Sequence, residues 1–571
     1  MSAPEPVHVD PHKGGDGHLH LASVLDEKEM SVQLGGGSRH GSDDEGVGLR
    51  REMPTDEEML TLRRVADKIP WITFSIAFVE LCERFSYYGT INVFTNFIQR
   101  PLPEGSTTGA GGTDRISGAL GLGQRASTGL TLFNQFWSYI MPLAGAWVAD
   151  QHLGRFKTIM YSIGCALVGH IILIISAIPP VIAKGNSAIG AFAVGMIIMG
   201  IGTGGFKSNI SPLIAEQYTE THPYISTTKD GERVIVDPAA TVSRIYHYFY
   251  LMINIGALVG QISMVYAEKY VGFYLSYTLP TVMFCLCPAV LYFCRNLYIL
   301  TPPQGSVYGK AMRVWGLAMK VTATSRTRTF RHGLLACKVF LWYPLFWLAY
   351  NQMTNNLTSQ AATMTLNGVP NDVVNNLNPF ALIICIPLMD KFVYPTCRKL
   401  NLKFTPVKRI TAGFFVASSG MIAATVTQYY IYKLGPCGYY ANDCADKSIP
   451  APISVWVQAI PYVFGGISEI FASVTSLEYA FTKAPTNMRS MVQAIALFMN
   501  ALSSALGQAL VSLAEDPLLI WNYGVTACLT FCGGVGFWFT NRQTDKEEDA
   551  LNTLPNSHFN GNNPDDLEKS V

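Results

Sequence analysis

Twelve long apolar runs, separated by short polar stretches, occupy the chain from residue 71 to residue 539. Each is long enough to cross ~30 Å of hydrocarbon as a helix. They are drawn near 71–99, 127–149, 158–182, 189–215, 245–266, 272–294, 339–364, 374–394, 410–432, 453–482, 491–514 and 518–539. The pattern predicts an all-α membrane protein of twelve transmembrane helices. Thr55 and Glu58 have capping-box spacing and predict a short amphipathic helix ahead of the first run.

Composition sharpens this picture. Apolar residues make up 49% and charged residues 14% of 571, against roughly 25% charged in soluble proteins. The charges crowd into residues 1–68, 295–338, 391–409 and the last thirty positions. A net charge of +1 creates no field to recruit nucleic acid. Ten of the twelve cysteines lie in or beside apolar runs, where a thiol behaves as a small hydrophobe. Cys437 and Cys444 share a polar loop and form a candidate disulfide if that loop is extracellular; two unpaired thiols are the alternative. The N-terminal stretch has no short apolar h-region after basic residues and is not expected to be a signal peptide. Its histidines (His8, His12, His18, His20) read as part of a disordered polar tail rather than a metal site, and no metal or cofactor is expected.

Loop charges set an orientation. With both termini cytoplasmic, inside loops hold about 20 Lys and Arg and outside loops about 7, the bias expected of a membrane protein. The basic stretch 295–338 divides the spans six and six. The chain then reads as a cytoplasmic tail (1–53), an amphipathic helix (54–70), a six-helix bundle (71–296), a cytoplasmic linker (297–334), a second bundle (335–541) and a cytoplasmic tail (542–571). This layout resembles the major facilitator superfamily. The loop GAWVADQHLGRFK, Gly145 to Lys157, is similar to that superfamily's signature between its second and third helices. In that signature Asp150 and Arg155 pair across a tight cytoplasmic turn, and Gly154 supplies the conformational freedom.

Some charges fall inside the apolar runs, where each costs at least ~2.5 kcal/mol and is rarely idle. Glu80, Glu83, Arg84 and Tyr87 lie on one stripe of the first span, with Tyr88 at its edge. Lys207 follows the glycine-rich sequence GIGTGG in the fourth span, and Glu469 and Glu478 lie in the tenth. Buried ion pairs could stabilise helix packing, but apolar contacts often do that as well; a polar cavity between the halves fits better. Tyr246, Tyr250 and Asn254 on the fifth span, Asn351, Gln352 and Asn355 on the seventh, and Asn378 on the eighth add donors and acceptors suited to a ligand such as a peptide backbone. GIGTGG superficially resembles a phosphate loop, but inside an apolar span its glycines read as close helix packing. Without a nucleotide motif, direct ATP drive is not expected, and no catalytic constellation suggests an enzyme.

These residues resemble a known family. Glu80-Leu-Cys-Glu83-Arg84-Phe85-Ser-Tyr87-Tyr88 is similar to the ExxERFxYY motif of proton-coupled oligopeptide transporters. Phe249 to Gly256 resembles the family's FYxxINxG signature. Lys207 sits in a GTGGxK context, and Glu469 with Leu477-Glu478-Tyr479-Ala480 resembles the tenth-helix pattern. The run Tyr88-Gly-Thr and the loop Gln99-Arg-Pro-Leu-Pro look most like fungal members. The resemblance implies proton-driven import of di- and tripeptides across the plasma membrane by a monomer whose partners are peptide, protons and lipid. It implies that Glu469, Asn254 and Asn378 hold the peptide's amino terminus, that Lys207 attracts its carboxylate, and that Glu80, Glu83 and Arg84 couple to protons. Tyr87, Tyr88, Tyr250, Asn351 and Gln352 complete the expected peptide site. In the unloaded state Lys207 is expected to pair with the first-span acids until protonation releases it.

Three positions depart from the family pattern: Ile91 replaces an arginine, Asn351 an acid and Ala496 a tryptophan. The alternatives are a family member carrying nitrate or another small metabolite, and a nutrient-sensing receptor. Retention of Lys207 and Glu469 favours peptides, because Glu469 would repel an anion.

Overall fold

The computed structural model describes residues 53–303, 339–393, 404–476 and 489–552, less six loop positions, together with residues 396 and 400. The expected tail up to residue 52, most of the linker, the final residues and the motif holding Glu478 lie outside the described residues. Within them the chain crosses back and forth twelve times. The first span is Trp71–Asn92, interrupted at Val93 and continued by Phe94–Gln99. The second to fifth are Gly123–Val148, Arg155–Ser176, Asn186–Glu216 and Pro238–Tyr270. The sixth is Phe273–Phe284 with Leu286–Cys294. The seventh is broken into Val339–Trp342, Tyr343–Asn351, Gln352–Thr354 and Asn356–Ala362. The eighth is Leu377–Leu388, led in by Val373–Asn376. The last four are Pro406–Leu434, Ala459–Glu469 with its extension Ile470–Val474, Arg489–Ala509 and Leu519–Asn552.

Six of these helices are long and apolar enough to cross a membrane by length and hydropathy alone. Of the other six, the first carries three charges, the seventh is broken and the eighth is short. The twelfth helix runs past the predicted boundary at 539 into the polar sequence ending at Asn552. Among its residues described with side chains, Arg542 folds back over the Phe539 ring. We call the end of the bundle that carries residues 54–70 the tail end, and the opposite end distal.

Spans one to six pack together and spans seven to twelve pack together, giving two bundles. Glycines set the closest approaches, as expected where small residues replace the hydrophobic driving force between helices. A Cβ at Gly256 or Gly260 would collide with the carbonyl oxygens of Leu81 and Phe85, so these two glycines seat the fifth span directly on the first. In GIGTGG, Gly200 meets Trp137, Gly202 meets Ala166, and Gly204 meets Met141. That stretch therefore packs the fourth span onto the second and third. A distal aromatic cluster (Phe94, Phe97, Phe192, Phe273 and Tyr277) closes the first bundle. In the second bundle, Tyr343, Phe346, Phe414 and Phe537 form an aromatic cluster toward the tail end.

The segment before the first span is shorter in helix than predicted. Only Asp56–Thr61 is helical, with both capping-box hydrogen bonds between Thr55 and Glu58 formed. Those bonds hold the Glu58 carboxyl below its ordinary range, the backbone bond from Thr55 contributing most. The chain then becomes a strand, Arg64–Val65, parallel to Arg233–Val236, which itself pairs with Tyr224–Thr227. This small sheet ties the entry to the first span to the loop between spans four and five. A disulfide joins Cys437 and Cys444 in the distal loop between spans nine and ten.

Candidate functional site

The first-span stripe lies buried between the bundles. Arg84 Nε is 3.0 Å from Glu80 Oε1, one helical turn away, and 2.6 Å from Glu83 Oε2. All three side chains are almost inaccessible. Beyond the Arg84 contacts, neighbouring polarity does not saturate them: Glu80 Oε2, Glu83 Oε1 and Arg84 Nη2 have no hydrogen-bond partner among the described residues. The Arg84 guanidinium sits 5.7 Å and 5.9 Å from the Tyr87 and Tyr88 rings, within cation–π range. The Tyr87 hydroxyl donates to Ser138 Oγ at 3.0 Å.

Lys207 corrects one expectation. Its ammonium stands over the Tyr139 ring at 4.8 Å, and no carboxylate lies within ion-pair distance of it among the described residues. The two acids are held by Arg84 on their own helix, which needs no second element to reach them. The lysine, arriving from the fourth span, stands close enough to the pair to feel both carboxylates without forming an ion pair with either.

The second bundle contributes the opposite wall. Glu469 lies within hydrogen-bonding reach of Tyr350 and Asn378, and Asn378 Nδ2 donates to the Tyr350 hydroxyl at 2.8 Å. Glu469 Oε2 is buried without a partner. A π-helical stretch, Ile470–Val474, follows it directly, a distortion frequent at functional positions. Tyr88 and Tyr139 of the first bundle are close enough to feel the charge of Glu469, so the two walls face one another.

The seventh span breaks where its amides lie. Asn351 accepts from Gln135 Nε2 at 2.6 Å across the bundle interface. Gln352 Oε1 accepts from Asn356 at 2.6 Å and from Asn522 at 2.9 Å. Asn351 and Gln352 are thus engaged in a neutral network joining spans two, seven and twelve. On the fifth span, Asn254 donates to the carbonyl of Tyr250 at 2.8 Å, and Tyr250 is 59% exposed. Ile91 packs into the distal apolar cluster, and Ala496 lies against the core of the second bundle.

Of the loop signature after the second span, one expected feature holds and one changes. Gly154 adopts φ +74° at the turn after the second span, a conformation that favours glycine. Arg155, however, makes its ion pair with Glu216 at the end of the fourth span rather than with Asp150; the loop's arginine reaches the carboxylate that the neighbouring helix end presents. Sequence reasoning also missed Tyr139, Gln135, Ser138, Tyr350 and Asn522. Gln135 lies within four residues of Ser138 and Tyr139 on the second span, a spacing that marks a shared polar face.

The distal half joins the bundles. Asn375 donates to Asn92 at 2.9 Å, Asn96 and Asn371 exchange hydrogen bonds, and Gln99 donates to Ser359 at 2.6 Å. Arg100 bonds Asp446 at 2.7 Å and Asn442 at 2.9 Å. The distal end is therefore closed.

The family profile described as "PTR2: POT family" matches residues 156–334 and 317–530. The chain belongs to the POT family. It is 42% identical over 541 residues to the probable peptide transporter ptr2 of Schizosaccharomyces pombe, covering 91% of this chain and 85% of that one. It is 41% identical to the peptide transporter PTR_B of Candidozyma auris (88% of each chain) and 38% identical to the peptide transporter PTR2 of Saccharomyces cerevisiae (88% and 84%). Among solved structures, the POT family transporter PepTSo matches with TM-score 0.65 at 18% identity, covering 84% of this chain and 99% of that one. A POT family transporter solved with 5-aminolevulinic acid matches with TM-score 0.62 at 18% identity, covering 83% and 96%. The fold is that of the major facilitator superfamily, twelve spans in two six-helix bundles.

Proposed function

We propose that the chain is a proton-coupled symporter that imports di- and tripeptides by alternating access, with the substrate held between Lys207 and Glu469. The carrying observation is the split of charge between the walls. Glu80, Glu83, Arg84 and Lys207 sum to zero when all are ionised, and Glu469 adds one negative charge opposite. A proton taken up by Glu80 or Glu83 leaves the first wall with one net positive charge. A zwitterionic peptide then meets a cation at its carboxylate and an anion at its ammonium, with Asn378, Tyr350, Tyr87 and Tyr88 between. Loss of the proton returns the first wall to neutrality and weakens its hold on the carboxylate, which favours release.

The orphaned oxygens of Glu80 and Glu83 support this reading, because buried polar groups without partners have positions to offer a proton or a ligand. Asn351 bound to Gln135, and Ile91 in apolar packing, support a central proton site on the first span. We assign the protein to the plasma membrane as a monomer with both termini cytoplasmic and no organic cofactor or metal. The loop-charge bias supports this orientation, and so does a disulfide in a distal loop, since disulfides persist in oxidising surroundings. The closed distal end is then the outer one.

Competition decides the substrate class. Di- and tripeptides should each suppress uptake of a labelled dipeptide, while nitrate and free amino acids should not. Suppression by nitrate would instead favour an anion carrier.

A further inference from the structure

A second carboxyl pair lies away from the central site, at the closed distal end. Glu268, near the end of the fifth span, and Asp372, just before the eighth, come from opposite bundles and are each 1% exposed. Their carboxyl groups are within hydrogen-bonding reach of one another. Glu268 Oε1 accepts from Asn96 Nδ2 at 2.8 Å. Glu268 Oε2 and Asp372 Oδ2 have no donor among the described residues.

The surroundings are mostly neutral. Asn96 and Asn371 exchange hydrogen bonds beside the pair, and Ser117 Oγ donates to the Glu268 carbonyl at 3.4 Å. The Tyr277 phenol of the sixth span faces Glu268, and the Tyr462 phenol of the tenth faces Asp372. Lys269 donates to the carbonyl of Gly368 at 2.8 Å, and its charge reaches Asp372.

Two carboxylates at this separation in a buried setting cannot both stay ionised; they hold one proton between them or repel. Because one belongs to each bundle, that repulsion acts across the seam that must part when the distal end opens.

We propose that Glu268 and Asp372 form a proton-binding latch on the distal gate, in which one shared proton holds the gate closed and its loss drives the gate open. Burial pushes the Asp372 carboxyl up to about 6. That step takes the pair from two protons to the single shared one, so closure is favoured at acidic to neutral pH and lost only at higher pH, where the remaining proton leaves. An acidic exterior would close the gate behind an arriving substrate, which gives the proton gradient a second point of action beyond the central site. The latch rests on the alternating-access part of the proposed function, but its test needs no peptide.

The full chain is reconstituted in liposomes, with spin labels placed at Leu122 and Ile449 by a chemistry that spares the native cysteines. Distances are measured from about pH 5 to about pH 10, the range that brackets loss of the last proton from a buried carboxyl pair. The wild type should move from one short distance to a longer population as pH rises. Glu268→Gln and Asp372→Asn each replace the shared proton with a permanent amide donor and should stay short throughout; either variant suffices if the other fails to reconstitute. Distances independent of pH in the wild type, or variants that titrate like the wild type, would overturn the latch. Such a failure would leave peptide transport untouched, and a failure of peptide transport would leave the measured latch standing.

Discussion

At the scale of single residues, the charges within the membrane do two separable jobs. Arg84 pairs with both first-span acids from its own helix, and Lys207 and Glu469 remain for a zwitterion. Glu469→Gln removes a charge-assisted bond of about 1.5–3 kcal/mol, so it should raise KM for dipeptides roughly 10- to 100-fold with little effect on a peptide whose amino terminus is blocked. Glu80→Gln should abolish proton-driven accumulation while counter-exchange of peptide persists. Paired uptake and exchange assays on both variants check this, and equal losses in both assays would merge the two jobs into one. The charged members of the site were legible in the sequence because an ionised group in an apolar run is conspicuous. Tyr139, Gln135 and Tyr350 were not, since a lone phenol or amide in a span carries the same local signature whether it bridges helices or faces a ligand.

At the scale of elements, glycine contacts and helix breaks position these groups. Gly256 and Gly260 press the fifth span onto Leu81 and Phe85, beside the charged stripe. Gly256→Leu should force the two helices apart, costing about 1–3 kcal/mol of overpacking and lowering the thermal unfolding midpoint in detergent by several degrees. Gly190→Ala, at a glycine with open space around it, should leave the midpoint unchanged or slightly raised; equal behaviour of the two would remove the packing argument. Apolar run lengths located the spans. The break at Asn351–Asn355 escaped because neither proline nor glycine marks it: the helix is interrupted by amides that bond across to other spans. The sheet at Arg64–Val65 also escaped, because its partners lie about 170 residues away and a two-residue strand has no periodicity of its own.

At the scale of the whole molecule, the two bundles meet through amides distally and through opposite charges at the centre. The distal seam was invisible in the sequence for the same reason it functions: Asn92, Asn96, Asn371 and Asn375 are neutral, and only their pairing across bundles gives them meaning. The Glu268–Asp372 pair escaped because each acid sits at a span end, where a charge is ordinarily solvated. Closure at one end, buried charges at the centre and an exposed Tyr250 toward the tail end describe one state of the proposed proton-driven cycle.

The most direct test is uptake of a labelled dipeptide into proteoliposomes of the purified protein, with and without an inward proton gradient. Accumulation above the external concentration is expected only with the gradient, and it should collapse on adding a protonophore. Equal uptake under both conditions, or no uptake of peptide at all, would contradict it.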